Sequence, residues 1–371
     1  MRKKILGSIL DMMNSCTPEN MSALDWEHLI RVARASAVLS RLAINYQRKY
    51  KSSLPSFVVK QFEAINRHSE LLKQQIFFEA MELDQHISKC SVQRAIFLKG
   101  AAYVLSEDEV GAGRIFSDID ILVKKADLPA IEKRLQAAMW FPDQNDENDQ
   151  KYYREWAHEI PPLIKSSRGT VVDVHHNLIP PISGKAPDIA LFLNEIRTVP
   201  TGYQVLMPHA MTLHSIIHLF YQEEFIHGYR DLSDLHLLVK ANSQNSQYWT
   251  ALLALAQKTQ FCRELFYACR YLKIIFNTEI DPYVKETLAN SGPHLIKLKV
   301  LDWMFTRVLL PRHRLINKSF TSLAHQLAFV RGHWLKMPFH ILCIHSFNKL
   351  KFAVRHFFTG NQKVTNGANE I

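Results

Sequence analysis

Cysteines, glycines and long apolar runs are scarce in this 371-residue chain. The five cysteines are odd in number and scattered, with no CxxC pair, a usage that fits a reducing cytoplasm best. With 12 glycines the chain is not collagen-like, and no stretch approaches the roughly 18 apolar residues of a membrane span. The apolar run that starts at Ile5 ends before Asp11, which is too short for a secretory signal. We therefore expect a cytoplasmic protein.

Hydrophobic residues make up 47% of the chain, which is ample for a buried core and excludes wholesale disorder. The length suggests roughly two or three domains. The net charge of +10 is concentrated near the C-terminus, because residues 291–371 hold twelve Lys and Arg against two acids while residues 1–290 are neutral. This predicts a localised contact with something anionic, such as nucleic acid, a phosphorylated substrate or an acidic membrane face.

Hydrophobic periodicity separates helical flanks from a centre that contains strands. Apolar residues recur at three- and four-residue steps up to about residue 91 and again from about Pro208. The predicted fold class is α+β, with a small mixed sheet embedded in predominantly helical N- and C-terminal domains. The predicted divisions are a helical N-terminal domain (1–91), an α/β core (92–200), a helical domain (201–290) and a basic, aromatic-rich helical region (291–371).

The central segment contains strand patterns around one helix. Residues 95–98 form a short apolar run, and residues 163–165 and 171–175 flank a turn in the manner of a hairpin. Asp127 is placed to cap a helix that runs through Met139.

The most informative feature of the centre is an alternating strand with two carboxylates. Asp118 and Asp120 are two residues apart, so a strand directs both side chains to one face. Two adjacent carboxylates repel unless a cation bridges them or one is protonated, and hard oxygen ligands suit Mg²⁺. Asp173, on another strand-like segment, would complete a set of three acids that can hold two metal ions. The alternative is a strand end with two solvated acids.

These motifs together resemble the DNA-polymerase-β-type nucleotidyltransferase superfamily. More narrowly, they resemble an uncharacterised bacterial nucleotidyltransferase family whose members often accompany surface-polysaccharide or peptide-modification genes. The resemblance covers roughly residues 92–180, with a weaker echo in 208–240. It is carried by Leu98-Lys99-Gly100-Ala101-Ala102, Gly113-Arg114, Ser117-Asp118-Ile119-Asp120-Ile121-Leu122-Val123 and Asp173-Val174-His175.

The resemblance implies roles for individual residues. Asp118 and Asp120 would bind two Mg²⁺ (or Mn²⁺) ions, and Asp173 would bind the ion that activates the acceptor hydroxyl. Gly100 would let the backbone approach the triphosphate at a helix start. The chain departs from the superfamily at Ala101, where Gly or Ser is usual, so a hydroxyl contact to phosphate is missing there.

Further nucleotide contacts are expected from Lys99, Arg114 and Ser117, together with Gly100 and Ala101. The Arg114 guanidinium matches phosphate oxygens bidentately, and its alternative is a surface arginine on a loop. Lys99 would contact phosphate or cap the end of the strand.

The activity implied by the resemblance is transfer of an NMP from an NTP to an unidentified hydroxyl acceptor, with release of pyrophosphate. The acceptor could be a sugar phosphate, a lipid-linked glycan, a peptide, a protein or RNA. One alternative is a toxin-like enzyme that modifies RNA. The other is a catalytically degenerate protein that binds a nucleotide or a partner.

Histidines offer other candidate ligands. His214 and His218 are four residues apart on a predicted helix, where they would either bind zinc or pack against neighbours. His175 shares the Asp173 face and would orient the carboxylate or the substrate, or have a structural role. The His158-Glu159 pair is followed by two prolines, which excludes an HExxH helix.

Two charged segments complete the predictions. Arg230, Asp231 and Asp234 are expected to form a buried ion-pair network that ties the helical domain to the catalytic one. Residues 331–358 interleave basic and aromatic residues, which predicts contact with an anionic membrane surface, at the inner membrane face, or with RNA. The alternative is a basic helical face packed on the body of the protein.

Overall fold

The computed structural model describes residues 1–16, 18, 20–46, 54–143, 152–338 and 341, and the backbone alone of residues 47–50. Helices precede and follow a sheet that is built from the centre of the chain. The helices are α1 (Arg2–Met13), α2 (Ala23–Ala35), α3 (Leu39–Tyr50), α4 (Ser56–Ser88), α5 (Lys99–Leu105), α6 (Leu128–Ala137), α7 (Ala190–Leu193), α8 (Pro208–Tyr221), α9 (Gly228–Asn242), α10 (Ser246–Lys258), α11 (Cys262–Phe276), α12 (Pro282–Thr287), α13 (Leu295–Val308) and α14 (Thr321–Lys336).

The sheet is mixed and has seven strands in the described part of the chain, in the spatial order β3-β4-β5-β2-β1-β7-β6. Two neighbouring pairs, β2 with β5 and β1 with β7, are parallel, and the other pairs are antiparallel. The strands are β1 (Ile96–Phe97), β2 (Asp118–Leu122), β3 (Trp140–Pro142), β4 (Leu163–Lys165), β5 (Val171–His175), β6 (Ile196–Thr198) and β7 (Gln204–Leu206). The predicted α+β class is confirmed.

Strand β2 is the fourth of the seven strands in spatial order, and one of its faces is wholly apolar. Ile119 and Ile121 are fully buried and pair in register with Val172 and Val174 of β5, which are also fully buried. Period-two alternation then places the aspartates of β2 on the opposite face. Burial of the isoleucines and valines thus fixes which way the acids point.

The local predictions for the centre are confirmed with one correction. Strands β4 and β5 form the predicted hairpin. Helix α6 is present and buries Ile131 and Leu135, but the Asp127 side chain makes no capping hydrogen bond to it. Asp127 has helical φ and ψ values of −87° and −15°, so its carboxylate is not aimed at the first free N–H groups.

One continuous hydrophobic cluster extends from Ile5 to Ala328. It crosses residues 91, 200 and 290, and the last strand of the sheet, β7, lies beyond residue 200. The predicted domain boundaries therefore stay a prediction. Among the described residues, no helix combines the length and the apolar character needed to cross a bilayer.

Candidate active site

Three aspartates share one face of the sheet, which we call the three-aspartate face (Asp118, Asp120 and Asp173). Asp120 and Asp173 are register partners on the parallel strands β2 and β5, and Asp118 lies two residues before Asp120 on the same face. Asp120 is buried, whereas Asp118 and Asp173 are half-buried. The predicted juxtaposition of these three acids is therefore present.

Lys99 and His175 both bond the same oxygen of Asp120. Lys99 Nζ donates to Asp120 Oδ1 at 2.6 Å, and His175 Nε2 lies 2.8 Å from that atom. Although burial opposes ionisation, the charge of Lys99 and the hydrogen bond from His175 hold the pKa of Asp120 well below its usual range. These bonds do not involve Oδ2, so one oxygen of an ionised carboxylate is left for another ligand.

Asp173 is surrounded differently from Asp120. Its Oδ1 atom is shielded from solvent and accepts no hydrogen bond from any described residue. Burial, reinforced by the negative charges of Asp120 and Glu159, raises the pKa of Asp173 from 3.8 to about 7. A buried carboxylate oxygen without a partner costs free energy unless a proton or a cation reaches it.

His175 connects this face to the segment that contains His158 and Glu159. Its Nδ1 atom lies 3.1 Å from Glu159 Oε2, and its ring is 5.3 Å from the ring of His158. Burial works against the charged imidazolium, but the carboxylates of Glu159 and Asp120 raise the pKa of His175. The prolines after Glu159 do exclude a helix, yet the segment instead forms an antiparallel bridge to the end of β5.

The predicted phosphate-binding turn lies at the start of α5. The first backbone N–H in α5 that finds a helical acceptor is that of Ala102, which bonds Leu98. The N–H groups of Lys99, Gly100 and Ala101 precede it and have no intrahelical partner. Lys99 has a φ of 45°, a left-handed value that is uncommon for a side chain with a Cβ and that occurs often at functional sites.

A cavity of about 250 Å³ brings most of the predicted residues together. Six of the eight lie on its wall: Lys99, Gly100, Arg114, Ser117, Asp118 and Asp120. The Ala101 side chain is buried in the core, and Asp173 lies outside the lining. The opposite wall comes from α8 and α9 through Ser215, His218, Arg230 and Asp231. We call this space the aspartate cavity.

Arg114 is not a surface arginine, so that alternative is wrong, while its contact with phosphate stays a prediction. It is buried, and its Nε donates to Asp234 Oδ2 at 2.9 Å. The other Asp234 oxygen pairs with Arg41 at 2.5 Å. Asp231 joins Arg114 at 3.7 Å and Arg230 at 2.9 Å. The predicted buried network around Arg230, Asp231 and Asp234 is confirmed.

This arginine–aspartate network (Arg41, Arg114, Arg230, Asp231 and Asp234) depends on a glycine. Gly113 has a φ of +68°, and a Cβ there would stand 2.7 Å from the Arg41 nitrogen. Without a Cβ the loop can touch α3, where Ser40 Oγ donates to the Gly113 carbonyl. That approach places Arg41 and Arg114 on the same carboxylate.

A second cavity, of about 920 Å³, lies on the other side of Arg114. Its wall carries charges of both signs from α4, including Glu63, Arg67 and Lys73. We call it the α4 groove.

His214 and His218 lie on α8 as predicted, and zinc binding by the pair stays a prediction. Burial lowers the pKa of His214 to about 3 and that of His218 well below its usual range, so both imidazoles are neutral. No group of three ligating residues that includes either histidine is found among the described residues. The packing alternative fits these observations.

The three-aspartate face fits a divalent cation by its chemistry. Carboxylate oxygens on neighbouring strands are the donors that Mg²⁺ and Mn²⁺ prefer, and the partnerless Asp173 Oδ1 is the kind of atom such an ion would satisfy. In the part of the chain that is described, ligand atoms of three residues approach within 4.8 Å of one another only at His158, Glu159 and His175. The three aspartates are therefore more widely spaced than that.

The basic segment 331–358 lies mostly outside the described residues. Of its described part, Arg331 donates to the Phe220 carbonyl at 2.7 Å, and Lys336 pairs with Glu223 at 2.8 Å. These two side chains pack on the body of the protein. Binding of a membrane or RNA by the rest stays a prediction.

Comparison with known families places this site in context. The sequence model of a family described as an uncharacterised nucleotidyltransferase matches residues 22–277, more than half of the chain. The chain therefore belongs to that family, and its membership supports a transferase whose general activity is nucleotidyl transfer. No curated protein and no solved structure was found to match the chain. The matched region contains the whole sheet and the three-aspartate face.

Proposed function

We propose that this protein transfers an NMP from an NTP to a hydroxyl acceptor in a metal-dependent reaction that releases pyrophosphate. The observation that carries the proposal is the register pairing of Asp120 with Asp173 on parallel strands, with Asp118 on the same face. The fold and this face also support membership of the DNA-polymerase-β-type superfamily.

In the proposed site, Asp118 and Asp120 would hold two Mg²⁺ (or Mn²⁺) ions and Asp173 one of them. Bound there, the ions would neutralise the triphosphate and lower the pKa of the acceptor hydroxyl. The acceptor hydroxyl releases its proton to solvent, and its oxygen forms the new bond to the α-phosphorus as the bond to the pyrophosphate oxygen breaks. The acceptor hydroxyl would then approach the ion held by Asp173, next to β5.

The remaining residues position the nucleotide. Lys99 and Gly100, at the start of α5, line the aspartate cavity, and a polyphosphate there would accept hydrogen bonds from the N–H groups that lack an intrahelical partner. Arg114 is held rigidly by Asp234, so its guanidinium presents a fixed positive wall to the cavity. Lys99 would exchange its bond to Asp120 for a phosphate when an ion takes that carboxylate.

Asp120 also supports a second candidate, a degenerate nucleotide-binding protein. Its charge is already neutralised by Lys99 and His175 without any ion. On this account the cavity would bind a nucleotide, and divalent ions would not affect the affinity. The RNA-directed alternative rests on residues 331–358 and stays a prediction.

The test is calorimetric titration of each NTP, with and without Mg²⁺, into the wild type and an Asp118→Ala/Asp120→Ala variant. We expect Mg²⁺-dependent binding that the folded double variant loses. A matched control is Asp143→Ala/Asp188→Ala, which removes two acids away from the cavity. Binding that is independent of Mg²⁺ would favour the degenerate protein, and no binding by a folded wild type would contradict the enzyme proposal.

A further inference from the structure

The group formed by His158, Glu159 and His175 has a ligand composition different from that of the three-aspartate face. One ligand atom from each residue lies within 4.8 Å of the other two. Two imidazoles and a carboxylate suit Zn²⁺ and similar transition metals, whereas all-oxygen sets suit Mg²⁺. We call this group the histidine–glutamate cluster.

Inside the cluster, a nitrogen of His175 and an oxygen of Glu159 lie close together, and neither brings a proton of its own when His175 is neutral. His175 Nε2 is engaged with Asp120 Oδ1 at 2.8 Å, which fixes a proton on that nitrogen because the carboxylate accepts only. His175 Nδ1 then faces Glu159 Oε2 across 3.1 Å. Either a second proton or a metal ion must lie between those two atoms. Two ligands of one tetrahedral ion stand roughly 3.3 Å apart, so the observed spacing accepts an ion with little movement.

His158 is the third member of the cluster and gives a second, independent observation. Its Nδ1 atom is shielded from solvent and has no hydrogen-bond partner among the described residues. Its ring stands 5.3 Å from the His175 ring at an angle of 36°. A shielded imidazole nitrogen without a partner is unusual unless something binds there.

The backbone holds these three side chains in place. His176 N–H donates to the His158 carbonyl at 2.8 Å, and Ile160 N–H donates to the Val174 carbonyl at 3.1 Å. Glu159 is the bridge partner of His175 between those two bonds. A site whose ligands lie on bonded, extended backbone is better preorganised than one on a free loop.

We propose that His158, Glu159 and His175 bind a transition-metal ion such as Zn²⁺, at a site separate from the three-aspartate face. The ion takes three protein ligands and keeps one position for water. His175 then links the two sites, because its other nitrogen donates to Asp120 as in a carboxylate–histidine–metal arrangement. The ion thereby orients the Asp120 carboxylate without contacting nucleotide. This proposal stands independently of the proposed function.

The test is metal binding by the full-length, untagged chain after chelation, in millimolar Mg²⁺ to saturate all-oxygen sites. Zn²⁺ is titrated by calorimetry, and Co²⁺ by its visible absorption bands, which are intense for a four-coordinate ion. We expect one ion per chain and a loss of affinity of at least about tenfold in both His158→Ala and Glu159→Gln.

Two controls make the result specific. His68→Ala removes an exposed histidine of α4, and Asp118→Ala removes an acid of the three-aspartate face. Both should bind Zn²⁺ as the wild type does. Circular dichroism verifies that each variant is folded, and Glu159→Gln preserves side-chain volume if His158→Ala does not fold.

Three results would overturn the proposal. Absence of the Co²⁺ bands in the wild type would mean that a proton lies between His175 and Glu159. Bands unchanged by both cluster variants would place the ion on other histidines. Bands lost in Asp118→Ala alone would place it on the three-aspartate face. None of these results depends on whether the protein binds an NTP.

Discussion

Two charge clusters contribute residues to the wall of the aspartate cavity, and their carboxylates are paired differently. In the arginine–aspartate network each oxygen of Asp234 has its own arginine. On the three-aspartate face, Lys99 and His175 share one oxygen of Asp120, while Asp173 Oδ1 has no hydrogen-bond partner among the described residues. In the first cluster three arginines face two aspartates, whereas the second has more carboxylates than nearby cations.

The difference separates a structural role from a binding role. Asp234 joins Arg41 of α3 and Arg114 of the central loop to α9, so it ties together elements far apart in the sequence. A buried ion-pair network of this kind loses stability when one member is removed. The three-aspartate face is instead expected to lose ligand binding, and even to gain stability, when an acid is removed.

The largest effect is expected from Asp234→Ala. This change leaves Arg41 and Arg114 buried without their shared carboxylate, so the free energy of unfolding should fall by about 3–5 kcal/mol. Urea denaturation measures the change. Asp231→Ala is the matched control and should cost clearly less, because its contact with Arg114 is 3.7 Å and its side chain is more exposed. Equal stability of Asp234→Ala and the wild type would contradict the structural role.

Asp173→Asn should instead raise the free energy of unfolding. The folded-state pKa of Asp173 is about 7 against the usual 3.8, so the native state binds more protons between those values and stability falls as the pH rises through that window. Without metal, the variant should be more stable than the wild type by about 1–3 kcal/mol at about pH 8 and by little at about pH 4.

The measurement for Asp173→Asn is urea denaturation at both pH values in the presence of a chelator. Asp11→Asn, on an exposed position of α1, is the matched control and should show no such pH dependence. Destabilisation by Asp173→Asn at the higher pH would mean that Asp173 is paired in the folded state.

The aspartates of the face were predictable from sequence because their order is local. Alternation in Asp118-Ile119-Asp120 fixes one face, and a second β-like segment supplies Asp173. The surroundings of Arg114 were not predictable, because its partner Asp234 is 120 residues away in the sequence and is brought close by helix packing. The same holds for Arg41, which has no local motif.

The histidine–glutamate cluster was missed for a different reason. In the sequence, His158 and Glu159 begin an HExxH-like pattern, and the nearby prolines exclude the helix that this motif needs. Their approach to His175 comes from a single antiparallel bridge, which a sequence pattern does not announce. The one available signal is that metal-ligating residues occur on both sides of the predicted hairpin, His158 and Glu159 before it and His175 at its end.

A smaller effect is expected from Lys99→Met, which keeps the aliphatic stem and removes the ammonium. Lys99 competes with metal for Asp120, so the affinity for Mg²⁺ alone should rise several-fold while the affinity for Mg²⁺-NTP falls. Calorimetry of both titrations measures this. A fall in both affinities would show that Lys99 supports the carboxylate instead of competing for it.

The smallest effect is expected at an exposed ion pair, Arg31 with Glu27 on α2. The atoms are 2.6 Å apart, but the side chains are 52% and 47% exposed. Solvent screens such a pair, so Arg31→Ala should change the free energy of unfolding by about 0.3–0.5 kcal/mol. A loss as large as that of Asp234→Ala would undermine the distinction between buried and exposed pairs.

The most direct test of the central claim is a crystal structure with Mn²⁺ and a non-hydrolysable NTP analogue. Anomalous scattering locates the Mn²⁺ ions. The account predicts Mn²⁺ bonded to oxygens of Asp118, Asp120 and Asp173, with the triphosphate at the start of α5. Nucleotide bound in the α4 groove, with no Mn²⁺ at the three-aspartate face, would contradict it.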